Sequence, residues 1–251
     1  MKKYDEYDDE LFKSSIRELV NKDTANRIKS KVEEFMHLMT YYKCAMMELE
    51  TKLQVLNEEF SLEEERNPIS SIKSRLKTPQ SIANKLQALK LDATLDNLQE
   101  INDIAGVRVI CNFESDVYSI ADALLKQDDI TLVSKKDYVK NPKPNGYRSL
   151  HIIVSLPIFL SHEKKEMKVE VQIRSIAMDV WANMEHQMLY KKNIILTHDS
   201  ARELQLCAQL SKELDQRMDS LRKIIKEQSY IIPVKKTYNS VKKEAESKGQ
   251  A

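Results

Sequence analysis

At 251 residues, 41% hydrophobic and 31% charged, the chain can build one sizeable core or two small ones beneath a very polar surface. A formal net charge of only +1 argues against a global field that gathers nucleic acid or a membrane, so any anion site must come from local clustering. Three scattered cysteines (Cys44, Cys111, Cys207) argue against a disulfide framework or zinc finger, and no apolar run approaches the roughly 20 residues that span a bilayer.

The first 22 residues are acidic (Asp5, Glu6, Asp8, Asp9, Glu10) and lack the apolar stretch of a signal peptide, so a soluble, cytoplasmic protein is expected. From Asp23 to Phe60 the pattern predicts one long helix, with Asp23 or Thr24 at its N-cap. Ile28, Val32, Phe35, Met39, Tyr42, Met46, Leu49, Leu53 and Leu56 alternate four- and three-residue steps, a heptad seam. Such a seam fits either a helix packed on its own domain or a subunit interface. Leu62 to Ser71 is expected to be a connector. Thr78-Pro79 then opens a helix, with Thr78 as N-cap and Pro79 in the first turn.

Strands are expected at Asp103–Phe113, Ile130–Val139, Tyr147–Val154 and Met167–Arg174, with a helix over Ser115–Gln127. Ile176 to Tyr190 and Ser200 to Gln228 are helical in pattern; the second carries a stripe of Cys207, Leu210, Leu214, Met218, Leu221 and Ile225. His198-Asp199 is expected in the loop before it. Strands lie mid-chain between flanking helices, which predicts an α+β fold: a mixed β-sheet flanked by helices, with long terminal helices. One domain over 23–230 follows, made of a helix at 23–60, a core at 70–191 and a helix at 200–228. A flexible basic tail occupies 231–251.

Chemistry concentrates in a few segments. Ser70 to Lys90 holds Lys73, Arg75, Lys77, Lys85 and Lys90 and no acid. Cations flanking a helix N-terminus suit phosphate, although a solvated basic surface carries the same residues. In Met167–Arg174, Lys168, Glu170, Gln172 and Arg174 share one face, and Met167, Val169, Val171 and Ile173 the other. The polar face is a cleft wall or an ordinary wet face. Asp103 heads another strand; two carboxylates on neighbouring strands can share a Mg²⁺ ion whose other ligands are substrate phosphates. Asn145-Gly146-Tyr147 is a turn entering a strand, and Tyr147, Ser149 and His151 alternate on one face. Tyr147 suits either a base platform or a core cap. Asp179, Asn183 and His186 form a polar helical stripe.

Taken in order, these segments resemble the RelA/SpoT synthetase domain in its short, stand-alone form, the small alarmone synthetases. The matching stretches are Ile72-Lys-Ser-Arg-Leu-Lys-Thr-Pro-Gln-Ser-Ile-Ala-Asn-Lys-Leu86, Asp103-Ile-Ala-Gly-Val-Arg-Val-Ile-Cys111 and Lys136 through Asn145-Gly-Tyr-Arg-Ser-Leu-His151. Val169-Glu-Val-Gln-Ile-Arg174 with the following helix to His186, and Tyr190-Lys191, complete the set. The resemblance implies transfer of the β,γ-pyrophosphate of ATP to the 3′-hydroxyl of GDP or GTP, with Mg²⁺ as cofactor. By the same resemblance Arg75 and Arg108 would sandwich adenine, while Lys77, Ser81 and Lys85 hold the ATP phosphates. Asp103 and Glu170 would bind the metal, Glu170 doubling as base. Tyr147 would stack on guanine, with Lys136, Lys143, Gln172, Asp179 and His186 around the acceptor. It also implies a homotetramer built through the terminal helices. Rival expectations are a toxin-type relative acting on adenine nucleotides or tRNA 3′ ends, and an inactive nucleotide- or RNA-binding module. RNA binding is not indicated by the near-neutral charge.

Overall fold

The computed structural model describes residues 22–64, 66–189 and 196–231. The acidic segment through residue 21, the basic tail from 232 and the Tyr190-Lys191 pair lie outside the described residues. In chain order the elements are α1 (Lys22–Glu64), β1 (Ile69–Leu76), α2 (Pro79–Leu89), the single turn α3 (Leu95–Leu98), β2 (Ala105–Cys111) and α4 (Glu114–Leu125). There follow β3 (Thr131–Asp137), β4 (Leu150–Phe159), β5 (Lys164–Ser175), α5 (Ile176–Leu189) and α6 (His198–Ile231).

The strands form one mixed sheet in the order β1-β2-β5-β4-β3. Only β2 and β5 run parallel; the other neighbours are antiparallel. The α+β expectation therefore holds. Several details differ from the expected boundaries, and β4 also runs on to Phe159 and β5 starts at Lys164. The supposed connector is shorter, because Leu62 belongs to α1 and Ile69 already opens β1, a strand the sequence reading lacked. Asp23 and Thr24 lie inside the first turn of α1. Residues 145–149 form a loop, so β4 starts three residues later than expected, and His198 lies within the first turn of α6. The start of α2 is as expected: the Thr78 side chain accepts from Ser81 N at 3.3 Å, and Pro79 occupies the first helical position.

One face of the sheet is the core. Val107 and Val109 of β2, Ile152 and Val154 of β4, and Val169, Val171 and Ile173 of β5 meet α1 and α4 there. The α1 seam from Tyr42 to Leu56 is covered by its own sheet, with Met46 at 2% exposure and Leu49 and Leu53 at zero. That half of the seam is core, not a free interface. The half from Ile28 to Met39 is only partly covered. The α6 stripe behaves oppositely, with Leu210 65% and Leu214 54% exposed.

Polar contacts, not apolar ones, pin α6 to the sheet. Buried Asp215 accepts from Arg148 Nη1 at 3.1 Å and Ser175 Oγ at 2.8 Å, while Arg148 also pairs with Glu114. Burial pushes the Asp215 carboxyl up, partly offset by Ser175 and Arg148. Asp219 accepts from Ser115 N and Oγ at 2.9 and 2.7 Å, and the Arg66 and Arg222 guanidiniums flank the Phe113 ring. Deleting one member of such a buried pair typically costs about 3–5 kcal/mol, because the other charge is left uncompensated. These contacts fix where α6 lies, and through it one end of the cleft described next.

Candidate active site

Period-two alternation places the polar face of β5 opposite the core. Glu170 and Gln172 project there, flanked across the parallel pairing by Gly106 and Arg108 of β2 and across the antiparallel pairing by His151 of β4. Arg75 of β1 registers with Gly106, and Lys73 with Arg108. Because Gly106 has no side chain, the sheet surface opens between Arg75 and Glu170. A cavity of about 560 Å³ lies over this face, closed at one end by Asn183, Glu185 and His186 of α5. The polar face of β5 is thus a cleft wall, not a wet face.

On the β1 side the cleft is cationic. Lys77 Nζ lies 2.6 Å from Asp103 Oδ2, and Lys85 Nζ of α2 lies 3.7 Å from the same oxygen. Asp103 and Glu170, separate in the sequence, line one cavity. Burial pushes the Glu170 carboxyl up. Hydrogen bonds from His151 and Gln172 and the charges of His151 and Lys77 outweigh that, so it is held below its ordinary value. Glu170 therefore stays an acceptor inside a partly buried cleft.

The opposite side is locked by hydrogen bonds. Arg174 Nη2 donates to Tyr147 Oη at 2.6 Å, and Tyr147 Oη lies 2.8 Å from His151 Nε2. His151 Nδ1 lies 3.3 Å from Glu170 Oε1, and Gln172 Nε2 donates to Glu170 Oε2 at 2.9 Å. Arg174 already donates to the phenol oxygen, so in the neutral imidazole tautomer with its proton on Nδ1, facing Glu170, the phenol donates to His151 Nε2. Arg174 also donates to Gln172 Oε1 at 3.0 Å, which fixes the orientation of that amide. Each Glu170 oxygen receives one donor and keeps a lone pair for a metal or a proton.

Arg75, Lys77, Asp103, Arg108, Tyr147, Glu170, Gln172 and His186, all expected site residues, line the cavity. Asp179 is buried at its edge, accepting from Arg174 Nη1 at 3.2 Å and Asn183 Nδ2 at 2.8 Å, with Arg108 at 3.8 Å. Burial lowers the Arg108 pKa, with Arg174 acting in the same direction and Asp179 against it. Ser81 is half-buried on the first turn of α2, Lys136 is on exposed β3, and Lys143 lies over the Tyr138 and Tyr147 rings at 4.9 Å; none of the three lines the cavity. Lys90 caps the far end of α2 in a left-handed conformation, away from the cleft. His151 and Arg174 carry the locked network, yet neither is among the expected site residues. The signal available was their period-two phase with Tyr147 and Glu170. Cys111 is no nucleophile: burial pushes its thiol far above the usual range.

Asp103 Oδ1 is buried without a hydrogen-bond partner. An orphaned carboxylate oxygen in a cavity that a second carboxylate also lines fits a cation. Among the described residues no group of three or more His, Cys, Asp or Glu is placed for a metal. Mg²⁺ needs only one or two protein carboxylates when phosphates supply the rest, so the donor set fits that ion and not a structural zinc.

The sheet, the cleft and the spacing of its residues define a member of the RelA/SpoT family, and the chain belongs to it. A family model described as a region found in RelA / SpoT proteins matches residues 74–195. The chain is 40% identical over 197 residues to GTP pyrophosphokinase YwaC of Bacillus subtilis, covering 78% of this chain and 94% of that protein. The crystal structure of small alarmone synthetase 2 from Bacillus subtilis superposes with a TM-score of 0.69 at 39% identity, covering 76% of this chain and 98% of that one. Small alarmone synthetase 1 from the same organism, bound to its product pppGpp, matches with a TM-score of 0.70 at 30% identity, over 77% and 98%.

Proposed function

We propose that this cleft transfers the β,γ-pyrophosphate of ATP to the 3′-hydroxyl of GDP or GTP, releasing AMP and forming the guanosine 3′-pyrophosphate. The observation that carries this reading is the convergence of a cationic wall and a fixed Glu170 carboxylate on one cavity. Arg75 and Arg108 lie on the same face of adjacent strands and flank the donor base. Lys77 and Lys85 face the phosphates together with the amides at the start of α2. Tyr147 stacks on the acceptor base, with His186 and Gln172 nearby in the cavity wall.

Glu170 takes the proton of the 3′-hydroxyl as its oxygen attacks the β-phosphorus, and the bond from that phosphorus to the α-phosphate oxygen breaks. Asp103 and Glu170 would hold Mg²⁺, which supplies neutralisation of phosphate charge when bound. Positioning and charge neutralisation then account for most of the acceleration, since a phosphoryl transfer asks little covalent chemistry of the protein. The test is incubation with labelled ATP and, separately, GDP, GTP, AMP or deacylated tRNA. A 3′-pyrophosphorylated guanine nucleotide is expected; product only from AMP or tRNA, or no product at all, refutes the reading.

A second copy of this chain is the proposed occupant of the exposed apolar face shared by α5 and α6. Ile176, Val180 and Met184 face Leu210, Leu214 and Met218 across a groove of about 780 Å³. A contiguous apolar surface of this kind needs a cover, and symmetric self-association is the usual one. A homotetramer is the expected assembly. Light scattering at micromolar concentration tests it: Leu214→Glu with Met218→Glu is expected to reduce the mass, and a wild-type monomer would refute it. No helix among the described residues is long and apolar enough to cross a membrane. With nucleotide substrates, the cytoplasm is the proposed location.

A further inference from the structure

We infer that helix α6 is part of the acceptor site: Gln205 and Ala208 are positioning residues that clamp the loop carrying Tyr147. The inference rests on the proposed role of Tyr147 as the acceptor platform. Nothing in that role requires a helix some 60 residues downstream, and neither residue lines the cavity.

The loop is a tight turn. Gly146 N donates to Lys143 O at 2.8 Å, with Pro144 and Asn145 at the turn's centre. Tyr147 N donates to Asn145 Oδ1 at 3.1 Å, and Lys143 N to Tyr147 O at 3.1 Å. Within the turn, Asn145 Nδ2 reaches Glu185 of α5 at 3.2 Å. The outer side is held by α6. Gln205 Nε2 donates to Pro144 O at 2.7 Å. Trp181 Nε1 of α5 donates to Leu204 O at 3.1 Å, so the two helices are themselves tied together at this point.

Gly146 shows how close the approach is. Its φ is +94°, a conformation that side chains disfavour, and a Cβ built on it would lie 2.4 Å from Ala208 Cβ. The contact is reciprocal: position 146 has no Cβ, and position 208 has nothing beyond one. Trp181, Ala182 and Ala208 form a small apolar cluster separate from the main core, and the Tyr147 ring packs on it. The ring is thus supported from behind by α6 and held at its hydroxyl by Arg174 and His151. A loop at the cleft mouth is ordinarily mobile. Fixing it before the nucleotide arrives removes an ordering cost from binding.

The experiment measures GDP and α,β-methylene-ATP binding by calorimetry on the full chain with Mg²⁺ and 0.3 M salt, alongside thermal melting. Gln205→Met removes the donor at an exposed site while keeping length. Its Kd for GDP is expected to rise about fivefold, with that for α,β-methylene-ATP and the melting temperature unchanged. Gln205→Lys restores a donor of similar reach and should bind GDP within twofold of wild type; the salt limits direct attraction between its charge and the GDP phosphates. Ala208→Leu displaces Gly146 and should weaken GDP at least twentyfold. Unchanged GDP affinity in folded Gln205→Met and Ala208→Leu overturns the clamp. So does equal weakening of both nucleotides, which is general loosening. If wild type binds GDP but Tyr147→Ala binds it equally well, the platform role itself fails, and the clamp with it.

Discussion

The two sides of the cleft are built differently. On the β1 side, Lys77 and Lys85 are long side chains sharing one carboxylate, and Lys85 is 44% exposed. On the β4–β5 side, Arg174, Tyr147, His151, Gln172 and Glu170 form one continuous network, each held by the next. A triphosphate brings its own charge, and reach is enough to meet it. The acceptor hydroxyl brings almost none, and its attack needs a base held in place. In the proposed reaction the donor side therefore acts mainly through charge and the acceptor side through preorganised geometry.

Glu170 is where the two sides meet, so its substitution breaks the comparison most severely. Glu170→Gln keeps size and one of the two accepted hydrogen bonds, and it removes the charge that the proposed metal and proton transfer both require. A kcat loss of about 10²- to 10⁴-fold is expected from loss of the base alone. Circular dichroism and melting temperature should stay at wild-type values, since the residue faces the cleft and not the core. Activity within a few-fold of wild type removes Glu170 from the mechanism.

Tyr147 separates geometry from contact area on the acceptor side. Tyr147→Ala deletes the stacking surface, worth about 1–3 kcal/mol per base, or roughly a 5- to 150-fold rise in KM for GDP. KM for ATP should barely move. Tyr147→Phe keeps the ring and removes the hydroxyl that links Arg174 to His151. Its effect should fall on kcat, about 2- to 10-fold for each of the two hydrogen bonds lost, with KM for GDP nearly unchanged. If Tyr147→Phe instead raises KM as much as Tyr147→Ala does, the hydroxyl network orients the nucleotide and not the base.

The donor side predicts smaller numbers. Arg75→Ala removes one face of the proposed adenine sandwich, and an arginine on a ring is worth about 0.5–2 kcal/mol. Steady-state kinetics should show a roughly 2- to 30-fold rise in KM for ATP at constant KM for GDP. A matching rise for both substrates would place Arg75 between them.

How much of this was legible in the sequence differs between the two sides for a physical reason. The donor cations other than Arg108 cluster within 20 residues (Arg75, Lys77 and Lys85), so a scan along the chain finds them. Even so, the strand that carries Lys73 and Arg75 escaped, because Ser70, Ser71 and Ser74 thin the apolar alternation of an edge strand. The acceptor network is assembled by register. His151 acts on Glu170 only because β4 and β5 pair with His151 opposite Gln172, one pleat away. Arg148 meets Asp215 across 67 residues. Periodicity alone also could not separate the two apolar helical stripes. The inner half of the α1 seam proved to be core, and the α6 stripe stayed exposed.

The smallest effect is also the one that discriminates the two sides most cleanly. Lys85 is part-exposed, 3.7 Å from Asp103, and no expected contact to a base involves it. Its contribution is that of a charge near the phosphates, in a place where water and salt reach. Lys85→Gln should raise KM for ATP only about 2- to 5-fold at 50 mM salt, since a single exposed charge contact is worth about 1 kcal/mol or less. At 0.5 M salt the Debye length falls to about 4 Å and the difference from wild type should largely vanish. The Tyr147→Ala defect should persist at both concentrations, because stacking is not a charge effect. Measuring both variants over the same salt series thus compares the sides directly. A Lys85→Gln defect that survives high salt would mean that Lys85 makes a fixed, desolvated bond to phosphate. The donor side would then be as preorganised as the acceptor side, and the contrast between them would fail.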